Sequence, residues 1–186
     1  MQTNFQPTNT NLVFNYAIYK AEGQQLAQEY LKKYDLMRAM YPIYRESSEI
    51  ERLDMVIKRE DAEAIIRGDK TVEFRAMSEY YIKRFYDEQV LQFMQEHRDD
   101  PLVQECADPL KVVKTIHLHN YNNSWSLEVE CKLNNVLVVN EETVRHMQEE
   151  HRCYELDSIL EQEKDKHEKS MFFYFVLGPI IKRENI

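Results

Sequence analysis

Residues 65–75 have the sequence IIRGDKTVEFR, which turns the chain from a helix into a strand. The helix predicted over 59–67 places its apolar residues on one side and acidic residues in its first turn, which suits the helix dipole. Gly68 then stands where a left-handed C-terminal cap is expected, because glycine adopts positive φ without steric cost. A tight turn brings Lys70 to the start of a strand over 71–75.

Alternation along that strand divides its side chains between two faces. The apolar residues point one way and the polar residues Thr71, Glu73 and Arg75 point the other. With the apolar face in the core, a hydroxyl, a carboxylate and a guanidinium lie in a row that ends at Lys70. Such a row suits a planar polar or anionic ligand: Arg75 makes bidentate contacts, and Glu73 accepts from an amino group or acts as a base. The alternative is a solvated strand face on which Glu73 and Arg75 only offset each other.

Composition excludes several classes of function. The 3 glycines are far apart in a chain of 186 residues, so no glycine-rich phosphate loop is present. A formal charge of -9 and the lack of a lysine–arginine tract argue against binding to duplex DNA. Recognition of a short single-stranded nucleic acid or a nucleotide is compatible with this charge, because it needs only a few well-placed cations and stacking surfaces.

The cysteines and the apolar segments indicate the compartment. Three cysteines without CxxC spacing predict neither a disulfide framework nor a zinc ribbon. The first twenty residues lack a secretory signal pattern, and the longest apolar run, 171–177, is far shorter than the ~20 residues of a membrane-spanning helix. We therefore expect a soluble, cytoplasmic protein that needs no cofactor and binds no membrane.

The first half of the chain is predicted to be mainly helical. Its predicted elements are a polar arm over 1–11, an amphipathic helix over 22–40 that Pro42 stops, a strand over 55–57, a helix over 78–97 and a loop around Pro101 and Pro109. We divide the chain into an N-terminal helical extension, 1–52, and a domain over 53–186.

The second half is predicted to be mainly β. Its predicted elements are a hairpin of strands 112–119 and 125–133, a short strand over 136–139, helices over 140–151 and 156–168, and a closing strand over 171–177. This order predicts an α+β fold, with a small barrel or curved sheet and helices at its rim.

Gly68, Lys70, Glu73 and Arg75 together resemble the GxKxxExR signature of the ASCH domain family, with every fixed position present. The resemblance extends over about 53–178 and includes the strand and helix that precede the signature. It implies a PUA-like β-barrel and a cleft that binds RNA or a modified nucleoside. In that interpretation Lys70 and Arg75 hold phosphate or base acceptors, Glu73 recognises a base amino group, and Thr71 belongs to the same ligand-binding row.

Two other functions stay open. A branch of small ASCH proteins is similar to amidohydrolases that act on N4-acetylcytidine with a lysine, a threonine three residues later and a distant glutamate. Lys70 matches the lysine, but the threonine position holds Glu73, and the glutamate aligns with Glu149 or Glu150. In an enzyme of this kind Lys70 and Glu73 would be the acid and base. The third function is a protein-interaction module, in which the acidic middle of the chain and the helical insertions meet a partner.

His117 and His119 stand two residues apart on one strand face, a spacing that can chelate a metal. Spacing supplies no third ligand, so we expect no metal site. The same pair could instead stack on a base or titrate near neutral pH.

Overall fold

The computed structural model describes residues 24–166 and 168–186, with backbone alone for 24–27. The arm predicted over 1–11 and the first two residues of the predicted 22–40 helix lie outside the described residues. In chain order the elements are α1 (Gln24–Met40), β1 (Glu49–Val56), α2 (Arg59–Arg67), β2 (Val72–Ala76), α3 (Glu79–Phe85), α4 (Glu88–Glu96), α5 (Pro101–Cys106), β3 (Val112–His119), β4 (Ser126–Val138), α6 (Glu141–His151), α7 (Asp157–Gln162) and β5 (Met171–Glu184).

The described chain forms two compact units. The helical unit consists of residues 24–49 and 82–112, and the sheet unit consists of 50–81 and the described residues of 113–186. The division into domains at residue 52 stays a prediction. Residues 82–112, which that division assigns to the second domain, belong to the helical unit. Among the described residues, no helix has both the length and the apolar character that crossing a lipid bilayer requires.

The helical unit has its own apolar core. Helix α1 contacts α5, and buried residues of α1, α4 and α5 meet between them. The core includes Tyr30, Met37, Tyr44, Val90, Phe93 and Val103. This packing explains why an amphipathic helix predicted from 3–4 spacing is stable here, since isolated helices of this length are marginal in water.

The single helix predicted over 78–97 is wrong, because this segment forms two helices, α3 and α4, separated by two non-helical residues. The Asp87 carboxylate accepts the backbone N–H groups of Gln89 and Val90, which caps a new helix. Tyr86 forms a β-bridge with Leu110 at the same point. The apolar residues keep helical spacing on both sides of this interruption. The sequence pattern therefore gives no sign that Asp87 caps a second helix.

The loop predicted around Pro101 is also wrong, because residues Pro101–Cys106 form helix α5. Asp100 caps this helix by accepting the backbone N–H of Leu102 at 2.9 Å. Proline is compatible with the first turn of a helix, where its missing N–H would have no partner.

The sheet unit contains one five-stranded sheet in the order β1-β3-β4-β5-β2. Strands β3 and β4, β4 and β5, and β5 and β2 pair antiparallel. The α+β prediction is confirmed, but the predicted barrel is not, since the sheet is not closed by a ladder between its edge strands β1 and β2. One side chain joins those edges instead: Arg75 Nη2 donates to the Val56 carbonyl oxygen at 3.0 Å.

Three strands are longer than the sequence pattern predicts. Strand β1 already begins at Glu49, and the segments predicted as 125–133 and 136–139 are one strand, β4. Strand β5 does not end at 177 but continues through Gly178 to Glu184. The register between β4 and β5 shifts at several points from Glu128 to Leu133, so bulges let one strand continue where alternation is interrupted.

Gly178 allows β5 to pass close to the bulged part of β4. A Cβ atom at this position would lie 3.0 Å from Glu130 Cβ and 3.1 Å from the Glu130 carbonyl oxygen. One of these atoms is a backbone oxygen and the other is a Cβ atom, both on β4, which pairs with β5. Neither can move without moving the sheet. Gly178 is therefore required by a close approach inside the strand, not by the end of a strand.

Helices α6 and α7 pack on the sheet through an apolar cluster within the sheet unit. Asn140 caps α6 as predicted, through a capping box with Thr143. Helix α7 ends at Gln162 instead of continuing to 168, because the Glu163 carboxylate accepts the backbone N–H of Ser170 at 2.9 Å and turns the chain back. The cluster that holds both helices on the sheet includes Val72, Leu137, Val139, Val144, Met147, Leu156 and Tyr174.

We predict that Gly178→Ala lowers the free energy of unfolding by about 1–3 kcal/mol, because the added methyl group overpacks the contact with Glu130. Urea denaturation followed by circular dichroism measures the change. Ile181→Ala is the matched control on the same strand; Ile181 is 55% exposed, so we expect a loss below about 0.5 kcal/mol. Equal losses in the two variants would contradict the close-approach explanation.

Candidate functional site

Gly68 ends α2 and starts the turn that presents Lys70. Its φ of 80° is left-handed, and its N–H donates to the Ile65 carbonyl oxygen at 3.0 Å. The N–H groups of Asp69 and Lys70 both donate to the Ala64 carbonyl oxygen, which would otherwise lack a hydrogen-bond partner at the end of the helix. Lys70 thereby leaves the turn at the beginning of β2.

The Lys70 ammonium group lies among three carboxylates. Its Nζ is 2.7 Å from Glu155 Oε1, 3.3 Å from Glu73 Oε2 and 3.6 Å from Asp61 Oδ1. The lysine side chain is only 11% exposed. Burial lowers the pKa of Lys70, but Glu73, Glu155 and Asp61 together outweigh burial and raise that pKa above its ordinary value. Lys70 is therefore a cation and a hydrogen-bond donor at neutral pH, not a base.

Glu73 and Arg75 form an ion pair that the fold uses internally. Glu73 is 5% exposed, and its Oε1 accepts a hydrogen bond from Arg75 Nη1. The same guanidinium donates to the carbonyl oxygens of Phe74 at 2.8 Å and Val56 at 3.0 Å. Glu73 Oε2 has no hydrogen-bond partner and faces Lys70 Nζ. The solvated strand face, the alternative interpretation of this row, does not describe a carboxylate buried between two cations.

Thr71 connects the start of β2 with the end of α6. Its hydroxyl donates to the His151 carbonyl oxygen at 3.0 Å. Burial, with a contribution from His146, lowers the pKa of His151, so this imidazole is neutral at pH 7. The hydroxyl of Thr71 is already donating, and its acceptor lone pairs are what it can offer to a ligand.

A cavity of about 290 Å³ lies between two short segments of the sheet unit. One wall is formed by 69–72 and the other by 151–155, which connects α6 to α7. The Lys70–Glu155 contact joins these walls. Lys70 and Thr71 line the cavity, whereas Glu73 and Arg75 are not among its lining residues. The ligand-binding roles of Lys70, Thr71, Glu73 and Arg75 stay predictions.

Sequence patterns missed two members of this cluster. Glu155 follows Lys70 by 85 residues and contacts the lysine. The resemblance suggested Glu149 or Glu150 for the distant glutamate, and that assignment stays a prediction. Asp61 belongs to the acidic first turn of α2, where its sequence context indicates only a favourable interaction with the helix dipole. No local pattern marks either residue as a partner of Lys70, because the packing of α2 and of the α6–α7 connection brings them there.

The other candidate residues form no comparable cluster. The rings of His117 and His119 lie 5.5 Å apart. Within the described part of the chain, no group of three or more histidine, cysteine, aspartate or glutamate side chains is arranged to hold a metal ion. The three cysteines are free and buried, at positions Cys106, Cys131 and Cys153.

Comparison with known proteins yields one structural similarity. No protein-family model and no curated protein matches the chain. Among solved structures, a mutant of the ASCH protein from Zymomonas mobilis is similar at 13% sequence identity and a TM-score of 0.38, over 74% of this chain and 76% of that protein. A TM-score below 0.5 is too low to establish a shared fold, so the arguments that follow depend on the geometry of the site.

We predict that Arg75→Ala lowers the free energy of unfolding by about 3–5 kcal/mol, because it leaves the buried Glu73 carboxylate without its guanidinium partner. Chemical denaturation measures this loss. The double variant Glu73→Gln/Arg75→Ala should recover part of it, since no unpaired charge then remains.

Arg67→Ala is the control, because Arg67 pairs with Asp69 on the surface with a side chain that is 59% exposed. Its loss should stay below about 1 kcal/mol. An Arg75→Ala variant as stable as this control would contradict the structural role of the buried pair.

Proposed function

We propose that the sheet unit is an ASCH-type domain whose cavity beside Lys70 binds a nucleoside or nucleotide unit of RNA. The observation that supports this proposal is the pairing of Lys70 with Glu155 at the cavity. A charged donor that is mostly shielded from solvent, next to a half-exposed carboxylate acceptor, is suited to a base edge, which presents acceptors and donors side by side.

The size of the cavity favours one base rather than an oligonucleotide. At about 290 Å³ it is slightly smaller than the ~300–1,000 Å³ typical of ligand pockets. Longer RNA would have to extend over the surface around the cavity. A compact site of this kind is consistent with an acidic chain that lacks a basic tract.

The electrostatics favour a base over a phosphate at Lys70. Two cations, Lys70 and Arg75, face three carboxylates, Asp61, Glu73 and Glu155, so the cluster as a whole is negative. A phosphate placed against Lys70 would be repelled by the same carboxylates that hold the lysine. A neutral base acceptor meets no such repulsion, and it is the contact we assign to Lys70.

Loss of the Lys70 donor should weaken nucleoside binding. Isothermal titration calorimetry with a panel of nucleosides and short single-stranded RNAs would measure the affinity of the wild-type protein and of the Lys70→Met variant for each of them. A hydrogen bond from a charged donor contributes roughly 1.5–3 kcal/mol, so we expect the affinity of any bound member to fall at least about tenfold.

Lys58→Met is the matched control, since Lys58 is exposed in the same unit and does not line the cavity. A panel without any bound member, or equal affinity in the Lys70→Met variant, would overturn the proposal. Circular dichroism melting of both variants separates lost binding from lost folding. Arg75 is unsuited to this test because of its contacts within the fold.

The second candidate function is amide hydrolysis on an acylated nucleoside. The Lys70–Glu155 hydrogen bond of 2.7 Å favours it, because the charged lysine would polarise the acyl oxygen while the carboxylate of Glu155 takes a proton from the attacking water. The acyl C–N bond then breaks, the proton passes to the departing amino group of the nucleobase, and acetate is released. Glu73, the base expected from the signature, is buried and paired. The base in this candidate is therefore Glu155.

Turnover of N4-acetylcytidine would test the enzymatic candidate. We expect chromatography to show cytidine after incubation with the wild-type protein, and at least about a hundredfold slower formation with Glu155→Gln if this residue is the base. Glu142→Gln, at an exposed carboxylate on α6 that lies outside the cavity lining, is the control. Absence of cytidine, or unaltered turnover in Glu155→Gln, would leave binding as the function of the cavity.

A further inference from the structure

The cavity has an exposed aromatic side chain that the proposed function does not use. Tyr154 lines the wall opposite Lys70 and is 62% exposed. Large aromatic side chains usually gain stability by burial, so an exposed ring on a cavity wall leaves a face available for a planar ligand. The neighbouring Glu155 carboxylate is 50% exposed on the same wall.

This wall is held in place by backbone contacts. Arg152 adopts the left-handed conformation with φ 51°, and its N–H donates to the Gln148 carbonyl oxygen at 3.0 Å. The N–H of Cys153 donates to Met147 at 3.1 Å, and Thr71 holds His151 from the other wall. The conformation of Arg152 is unfavourable for a residue with a side chain, yet these contacts maintain it.

Glu155 has acceptor capacity beyond its contact with Lys70. The lysine occupies Oε1, and an ionised carboxylate offers about four acceptor sites. Lys70 is also neutralised by Glu73 and Asp61, so Glu155 can turn towards a ligand without leaving the lysine unpaired. Glu73 itself cannot serve, because its carboxylate is buried outside the cavity lining.

We propose that Tyr154 and Glu155 determine which base the cavity accepts: the base stacks on Tyr154 and donates its exocyclic amino group to Glu155. A carboxylate accepts from an amino group and repels a carbonyl oxygen in the same place. The cavity therefore prefers amino-bearing bases over their carbonyl counterparts. This inference rests on the proposed function and specifies the ligand class of that site.

The experiment compares pairs of nucleosides that differ at this one group. Isothermal titration gives the affinities for cytidine and uridine, and for adenosine and inosine. For the wild-type protein we expect the amino member of a bound pair to bind at least about tenfold more tightly, the discrimination typical of one lost polar contact. Glu155→Gln should reduce that ratio to within about twofold, because an amide side chain both donates and accepts.

Variants of Tyr154 test the stacking contact separately. Tyr154→Ala should weaken both members of a pair about tenfold and leave their ratio unchanged, since stacking does not depend on the amino group. Tyr154→Phe should bind as the wild-type protein does. Glu142→Gln is the matched carboxylate control, exposed and outside the cavity lining.

The outcomes separate this inference from the proposed function. If no nucleoside binds the wild-type protein, both are overturned. If nucleosides bind with a Lys70-dependent affinity but without amino preference, or if Glu155→Gln keeps the preference, only the assignment of Glu155 is overturned. Undiminished binding in Tyr154→Ala overturns the stacking assignment. Melting curves that match those of the wild type show that each variant is folded.

Discussion

The buried carboxylate of Glu73 is the constraint on which the candidate site depends. A carboxylate that is 5% exposed is tolerated only with compensating charges, and here Arg75 on one side and Lys70 on the other supply them. Arg75 also donates to the carbonyl oxygen of Val56, so the ion pair joins the edge strands β1 and β2. Glu73 therefore links Lys70, which lines the cavity, to the arginine that bridges the two edges of the sheet.

This arrangement separates residues that are paired inside the fold from residues that line the cavity. Glu73 and Arg75 are paired inside the fold, whereas Lys70 and Thr71, which immediately precede β2, line the cavity. The opposing wall comes from the connection between α6 and α7, which lies in a different part of the chain. A signature that looks like a single ligand-binding row thus combines a stabilising pair with a donor whose acceptor partner is supplied from elsewhere.

Local patterns predicted the elements that depend on local chemistry. Gly68 ends α2 in a left-handed conformation, and Asn140 caps α6, since capping depends on a few neighbouring residues. The prediction failed at Asp87, where apolar spacing runs through a break that a cap creates. The predicted end of the last strand at 177 is also wrong, because β5 continues through Gly178, where the need for glycine comes from Glu130 on the neighbouring strand.

The sequence by itself determined the helix–turn–strand unit that delivers Lys70, together with the α+β class, because short-range periodicity and turn chemistry suffice for both. Only the tertiary structure decided that Glu73 is buried and that Glu155 contacts Lys70. Burial depends on the sheet order, which places β2 at an edge beside β5 and close to the end of β1. The partner of Lys70 lies 85 residues away, a separation at which only packing determines which side chains meet.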